Sequence, residues 1–255
     1  MARLTVVPDE DALAAAAAER LTVLITQAIA ARGAAVISLT GGRTPQHLYS
    51  RLGDPALPWR ARIDWTRLHV FWGDERHVPP DHPDSNFGMA RDALLRHVPV
   101  PAAQIHRMRG ECPDAHDAAR DYEQTLRDGF AAAGRDDLRF DVLLLGLGED
   151  AHIASIFPGS VLLARHVGRG VTPHRVAAVW ASHLSAWRIT LTPAALLDAS
   201  AIVMVVAGAK KADAVHSAIE APLDVARSPA QLLREGGDRV DWLVDDQAGR
   251  RLRPT

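Results

Sequence analysis

The chain has one cysteine, Cys112, so no disulfide can form within it. A lone thiol points to a reducing compartment. Charge of one sign is also lacking: 29 Lys and Arg stand against 31 Asp and Glu, a formal net charge of -2. That balance gives no electrostatic basis for a nucleic-acid or membrane partner. No apolar run approaches the roughly 18 to 20 residues that span a bilayer. The opening MARLTVVPDE lacks the basic-then-apolar pattern of a secretory signal. A cytoplasmic protein is expected. The 12 histidines are scattered, and His69, His77 and His82 show no ligand spacing. No H-E-x-x-H, paired-Cys or EF-hand pattern occurs, so no metal is expected. The G-x-G-x-x-G fingerprint is missing after the first strong strand, which argues against a dinucleotide-binding dehydrogenase.

What is present is an ordinary globular composition, 47% hydrophobic and 24% charged over 255 residues. Apolar runs of strand length alternate with helical patterns. Thr5 to Val7 reads as an edge strand. Asp9 is a helix N-cap, with Leu13, Ala17, Leu21, Leu24 and Ala28 on one face and Gly33 as the stop. Buried strands are expected at Ala34 to Leu39, Leu68 to Trp72, Phe140 to Leu145 and Ala201 to Ala207, and a last strand at Val240 to Val244. Arg175 to Trp180 and Trp187 to Leu191 read as an antiparallel pair, and Val161 to Pro173 as an exposed loop. Helices are expected from about Asp84 or Ser85 to Arg96, and near Asp114 to Ala133, Lys211 to Ile219 and Ser228 to Leu233. No repeat or linker divides the chain, so 1–255 reads as one α/β domain. Its expected fold is Rossmann-like, a mostly parallel sheet flanked by helices on both faces.

The strand tails carry the chemistry. Right-handed crossovers put several of them on one sheet edge, where ligands of open α/β sheets bind. After Leu39 comes Thr40-Gly41-Gly42-Arg43-Thr44-Pro45, a glycine turn entering a helix. Freed backbone N–H groups there make an anion site, to which Thr44 adds a hydroxyl; Arg43 adds a charge or points to solvent. After Trp72 comes Gly73-Asp74-Glu75-Arg76-His77, where an arginine can grip a phosphate with two hydrogen bonds. After Leu145 comes Gly146-Leu147-Gly148-Glu149-Asp150-Ala151-His152. A histidine at such a place suits general-base work near neutral pH.

These segments, with Ser85-Asn86-Phe87, Ile153-Ala154-Ser155-Ile156-Phe157-Pro158, Arg188-Ile189-Thr190-Leu191-Thr192 and Gly208-Ala209-Lys210, resemble the 6-phosphogluconolactonase family over nearly the whole chain. The resemblance implies hydrolysis of 6-phospho-D-glucono-1,5-lactone, a phosphosugar lactone, in the oxidative pentose phosphate pathway. It also implies that neither metal nor organic cofactor takes part. His152 would be the general base and Asp150 its orienting or substrate-binding partner. Gly41, Gly42, Thr44 and Arg76 would hold the phosphate, with Arg188 and Lys210 as further cations. Asp74 would bind sugar hydroxyls or steer His152. A monomer or weak homodimer is expected.

Two positions depart from the family pattern. Ala151 stands where Asp-Gly-His is usual, and Ile153 where Thr is common. If position 151 needs a positive φ, an alanine there is strained. Two rival readings follow from the same residues. Glucosamine-6-phosphate deaminases share the fold and the Ile153-Ala154 pair, but Ser155-Ile156-Phe157-Pro158 follows the lactonase pattern and the deaminase glutamate is missing. A non-catalytic phosphosugar sensor would keep the anion site and bind without turnover, with Ala151 as its support.

Overall fold

The computed structural model describes residues 2–163 and 174–253. They form a six-stranded sheet in the order β1-β9-β8-β5-β2-β3, and a three-stranded sheet in the order β4-β7-β6. The large sheet is parallel throughout: β1 (Arg3–Val7), β2 (Ala35–Leu39), β3 (Leu68–Trp72), β5 (Val142–Leu145), β8 (Ile202–Val206) and β9 (Val240–Asp245). Its inner strands are buried on both sides, which is why they read as unbroken apolar runs. The small sheet is antiparallel: β4 (Asp74–Arg76), β6 (Val176–Ala181) and β7 (Ala186–Leu191).

Helices cover both faces, as the alternating pattern predicts. On one face lie α1 (Glu10–Arg32), α2 (Arg43–Gly53) and α3 (Pro58–Arg62), whose Leu13, Ile25, Tyr49 and Trp59 share a core with Ile37, Val70 and Leu144. Asp9 caps α1 by accepting from the Ala12 N–H at 2.8 Å, and Gly33 ends it at φ 82°. By length and composition α1 is apolar enough to cross a membrane, contrary to the expectation that no such segment exists. Its charges sit only at its ends and in the Glu19-Arg20 pair. The apolar stripe, including Leu13, Ala17, Leu21 and Ile25, packs into the core.

The other face carries α5 (Ala115–Ala132), whose Ala118, Tyr122, Leu126 and Phe130 pack on Val36, Phe71 and Leu143. On this chain side also lie α6 (Pro193–Leu197) and α7 (Ala212–Ile219). Between α3 and α5 the chain forms α4 (Asn86–Ala90), capped by Ser85. The last helical turn is α8 (Asp246–Gly249).

Three expected elements differ. The helix expected to reach Arg96 is α4 followed by a π-helical turn, Arg91–Leu95. The strand expected from Phe140 starts at Val142, because the Asp141 carboxylate takes the Val36 N–H at 2.8 Å and pairs with Arg32 and Arg135. The helix expected at Ser228 to Leu233 is a 3-10 stretch, Pro229–Arg239, with a break at Gly237. In the loop expected over Val161 to Pro173, Leu162 and Leu163 are buried, and 164–173 lie outside the described residues.

The strand order fixes where a ligand can go. From β2 the chain steps outward to β3, then returns to the other side of β2 with β5. Helices leaving adjacent strand ends in opposite directions open a crevice at that point. The tails of β2 and β5 both lead into it.

Candidate active site

A cavity of about 280 Å³ opens at this crevice. Its wall takes Thr40 to Pro45 from the β2 tail, Gly146 to Glu149 and His152 from the β5 tail, and Val205 to Ala207 from the end of β8. Asp74, Arg76 and Asn86 close one side, and Lys211 another.

Two glycines in the β2 tail have separate reasons. Gly42 sits at φ 110° and is the N-terminal boundary residue of α2. An L side chain would be strained there. Gly41 has no room: an added Cβ would lie 1.8 Å from Asn86 Oδ1. α2 begins without a side-chain cap, so its first N–H groups and the positive end of its dipole are left for a ligand. Thr44 and Pro45 lie at this end and line the cavity.

His152 is held by its own turn. Its Nδ1 lies 2.6 Å from Asp150 Oδ1, and its backbone N–H donates to the same oxygen at 3.2 Å. Burial raises the Asp150 pKa, but the hydrogen bond and charge of His152 outweigh it and bring the carboxyl down to about 2. An ionised carboxylate only accepts, so the contact places a proton on Nδ1 and leaves Nε2 as the ring nitrogen that Asp150 does not engage. Gly148 makes space for this ring, since a Cβ there would stand 2.0 Å from His152 Nδ1. Ala151 does adopt a positive φ, 64°, and its methyl is buried in the core. Its carbonyl accepts from the Ala230 N–H at 3.0 Å, which ties the turn to the 3-10 stretch.

A buried polar network supports the opposite wall. Asp74, 7% exposed, accepts from Ser155 Oγ at 2.6 Å and from Asn86 Nδ2 at 3.4 Å. Asn86 Nδ2 also donates to the Asp74 carbonyl at 2.9 Å. Glu75 is 2% exposed and accepts from the N–H groups of Arg76, Asn86 and Phe87 and from Ser85 Oγ. Burial pushes its pKa up, partly offset by those backbone donors.

The cations fall into two groups. Arg76 lines the cavity and donates to the Asp84 carbonyl at 2.6 Å. Arg188 is its partner across the β4–β7 ladder but does not reach the cavity wall. Burial and the neighbouring Arg76 lower the Arg188 pKa, with Asp74, Asp84 and Glu75 opposing. At the other group, Lys211 replaces the expected Lys210. Lys210 is exposed, whereas Lys211 is half-buried and borders the cavity. Burial lowers the Lys211 pKa, the charges of Glu149 and Asp150 raise it, and Arg43 lowers it. Arg43, exposed as allowed for, also borders the cavity. Thus Gly41, Gly42, Thr44, Asp74, Arg76 and His152 all line the cavity, Asp150 is bonded to His152 and Arg188 is paired with Arg76 outside the lining, and Lys210 does not border it. Glu149, one of the two carboxylates of the β5 tail, lines it too, and Asn86 and Lys211 line it without having been given a role. Among the described residues no group of three or more His, Cys, Asp or Glu is placed to hold a metal ion.

Residues 8–242 match the family model described as glucosamine-6-phosphate isomerases/6-phosphogluconolactonase. The chain belongs to this family. It is 41% identical over 234 residues to a 6-phosphogluconolactonase of Synechocystis sp., spanning 92% of this chain and 91% of that protein. It is 38% identical over 253 residues to the 6-phosphogluconolactonase of Mycobacterium tuberculosis, with 98% of both covered. The solved 6-phosphogluconolactonase of Trypanosoma brucei superposes with a TM-score of 0.82 at 30% identity, covering 99% of each chain. Both activities in the family's description act on phosphosugars, and the glycine turn, α2 terminus and cations are common chemistry for such ligands.

Proposed function

We propose that the chain hydrolyses 6-phospho-D-glucono-1,5-lactone to 6-phosphogluconate, the second step of the oxidative pentose phosphate pathway, in the cytoplasm. The observation that carries this reading is His152, oriented by Asp150, in one cavity with an uncapped helix N-terminus and three cations, Arg43, Arg76 and Lys211. The phosphate sits at the Gly41-Gly42 turn and draws charge from Arg76 and Lys211. Arg76 and Arg188 repel each other at paired strand positions, and an anion beside Arg76 relieves that repulsion.

With the phosphate held, the lactone carbonyl is presented to a water beside His152. Nε2 takes a proton as the water oxygen attacks the carbonyl carbon. The tetrahedral intermediate then collapses, the bond from the carbonyl carbon to the ring oxygen breaks, and the imidazolium returns its proton to that oxygen. The products are a free hydroxyl and a carboxylic acid, which gives up its remaining proton to solvent and becomes the carboxylate. Asp150 stays ionised throughout and holds the imidazolium when it forms.

The test is lactone hydrolysis with the spontaneous rate subtracted, for wild type and His152→Ala. Loss of roughly 10²- to 10⁴-fold in kcat is expected for a positioned base. Full turnover in the variant would remove His152 from the mechanism. No turnover in wild type would overturn the lactonase reading.

A further inference from the structure

His152 is restrained on more sides than its hydrogen bond explains. Asp150 fixes Nδ1, and Gly148 leaves the ring a slot that no other residue would. A third side is closed by Phe157, whose ring centroid lies 4.6 Å from that of His152 at an interplanar angle of 49°. A hydrogen bond at one ring nitrogen leaves the imidazole free to rock about that contact. A second ring packed against it at this tilt restricts that freedom.

Phe157 is itself only half-buried, and follows a turn in which Ala154 has φ 48°. Its outer support is His183, with ring centroids 4.7 Å apart in an edge-on arrangement at 70°. His183 belongs to the short turn Ser182–Leu184 that joins β6 to β7. The β6–β7 ladder runs from Val176↔Leu191 to Ala181↔Ala186, so it remains paired up to this tip. Ser185, at φ 47°, closes the turn. The tip is exposed, yet it sits on a fully paired hairpin. The same hairpin pairs through Arg188 with Arg76 of β4.

We infer that Phe157 and His183 are positioning residues: the β6–β7 tip, through His183, presses Phe157 onto His152 and so fixes the imidazole that activates water. This rests on the proposed role of His152 as base. Neither ring needs to touch the substrate. The arrangement links the wall that binds phosphate to the ring that does the chemistry, because β4, β7 and the His183 turn form one sheet.

The experiment compares kcat and KM on 6-phosphogluconolactone, with background subtracted, for wild type, Phe157→Leu, His183→Ala, His183→Phe and His152→Ala. Phe157→Leu keeps apolar volume without a flat face and should lower kcat about tenfold, with KM within about twofold, since small misplacements of a catalytic group are costly. His183→Ala alters an exposed tip residue and should lower kcat about threefold. His183→Phe, which restores a ring against Phe157, should recover most of that loss. The His152 Hε1 proton resonance should also move in Phe157→Leu as the ring current is removed. Unchanged kcat in both Phe157→Leu and His183→Ala, alongside collapse in His152→Ala, would overturn the inference and leave the base in place. Equal shifts in KM and kcat would also overturn it, pointing to substrate contact instead. Undiminished turnover in His152→Ala would remove the base itself.

Discussion

Asp150 Oδ1 holds both the ring Nδ1 of His152, at 2.6 Å, and its backbone N–H, at 3.2 Å. One oxygen thus sets the ring tautomer and holds the turn that carries it. Asp150→Asn should lower kcat roughly tenfold or more, because an amide can donate to Nδ1 and move the ring proton to Nε2. The pH dependence has a defined sign. The folded-state carboxyl lies at about 2 against an ordinary 3.8, a depressed value. Its stabilisation is present above the ordinary value and is lost as pH falls through the folded one. The stability gap between wild type and Asp150→Asn, measured by urea unfolding, should therefore be constant above about pH 5 and shrink between about pH 4 and 2. It should be small, since both side chains are partly exposed.

Gly41 is excluded from bearing a side chain by Asn86 rather than by its backbone. Gly41→Ala should destabilise the fold by about 1–3 kcal/mol, the usual cost of overpacking, and raise KM. Asn86→Gly on top of it removes the clashing amide and should recover part of the stability but not KM. Chemical denaturation and steady-state kinetics on both variants test this. Gly41→Ala with wild-type stability would mean the two residues do not meet.

Ala151 carries a conformation that favours glycine, and the magnitudes nearly cancel. A left-handed backbone costs an L residue roughly 1–2 kcal/mol. Its buried methyl contributes about 0.8 kcal/mol, and glycine would cost a further 0.4–1 kcal/mol or so through the unfolded chain. Ala151→Gly should therefore shift unfolding free energy by less than about 1 kcal/mol and leave kcat within about twofold. A gain above about 2 kcal/mol would show that the strain dominates.

Lys211 and Lys210 should behave differently despite being neighbours. Lys211→Ala should raise KM roughly tenfold or more, the worth of a charge-assisted contact. Lys210→Ala should leave KM unchanged. Equal effects would place the contribution in general surface charge, which added salt would then abolish.

Most of the large sheet was legible because its strands are buried on both faces and read as plain apolar runs, Ala35–Leu39 and Ile202–Val206 among them. The cap at Asp9 marked the first helix directly. The candidate turn was legible because glycine, carboxylate and histidine sit within a few residues of each other. What stayed hidden depends on tertiary placement. Lys210 and Lys211 are adjacent in sequence, and only the 3-10 turn Ala209–Lys211 decides which one faces the cavity. Asp74 and Glu75 are both buried, where alternation would send one outward, since donors from Ser155 and the Ser85–Phe87 segment converge on them. The helix start expected at Asp84 or Ser85 agrees with the Ser85 cap, but nothing local told that Asn86 faces the cavity. The contact of His183 with Phe157 joins residues 26 apart through a hairpin, and no local pattern reports it.

The order of the large sheet also bears on how the chain is made. Among the described residues β1 is hydrogen-bonded to β9 alone, and Asp241 of β9 receives Arg3 of β1 and Arg20 of α1. During vectorial synthesis the first strand therefore emerges more than 230 residues before its partner. Until Val240–Asp245 leaves the ribosome, β1 has no ladder and β8 presents an open edge. Both are surfaces on which unfinished chains pair wrongly. The β3 edge is in place early, and the β1 side of the sheet is closed only when β9 inserts between β1 and β8.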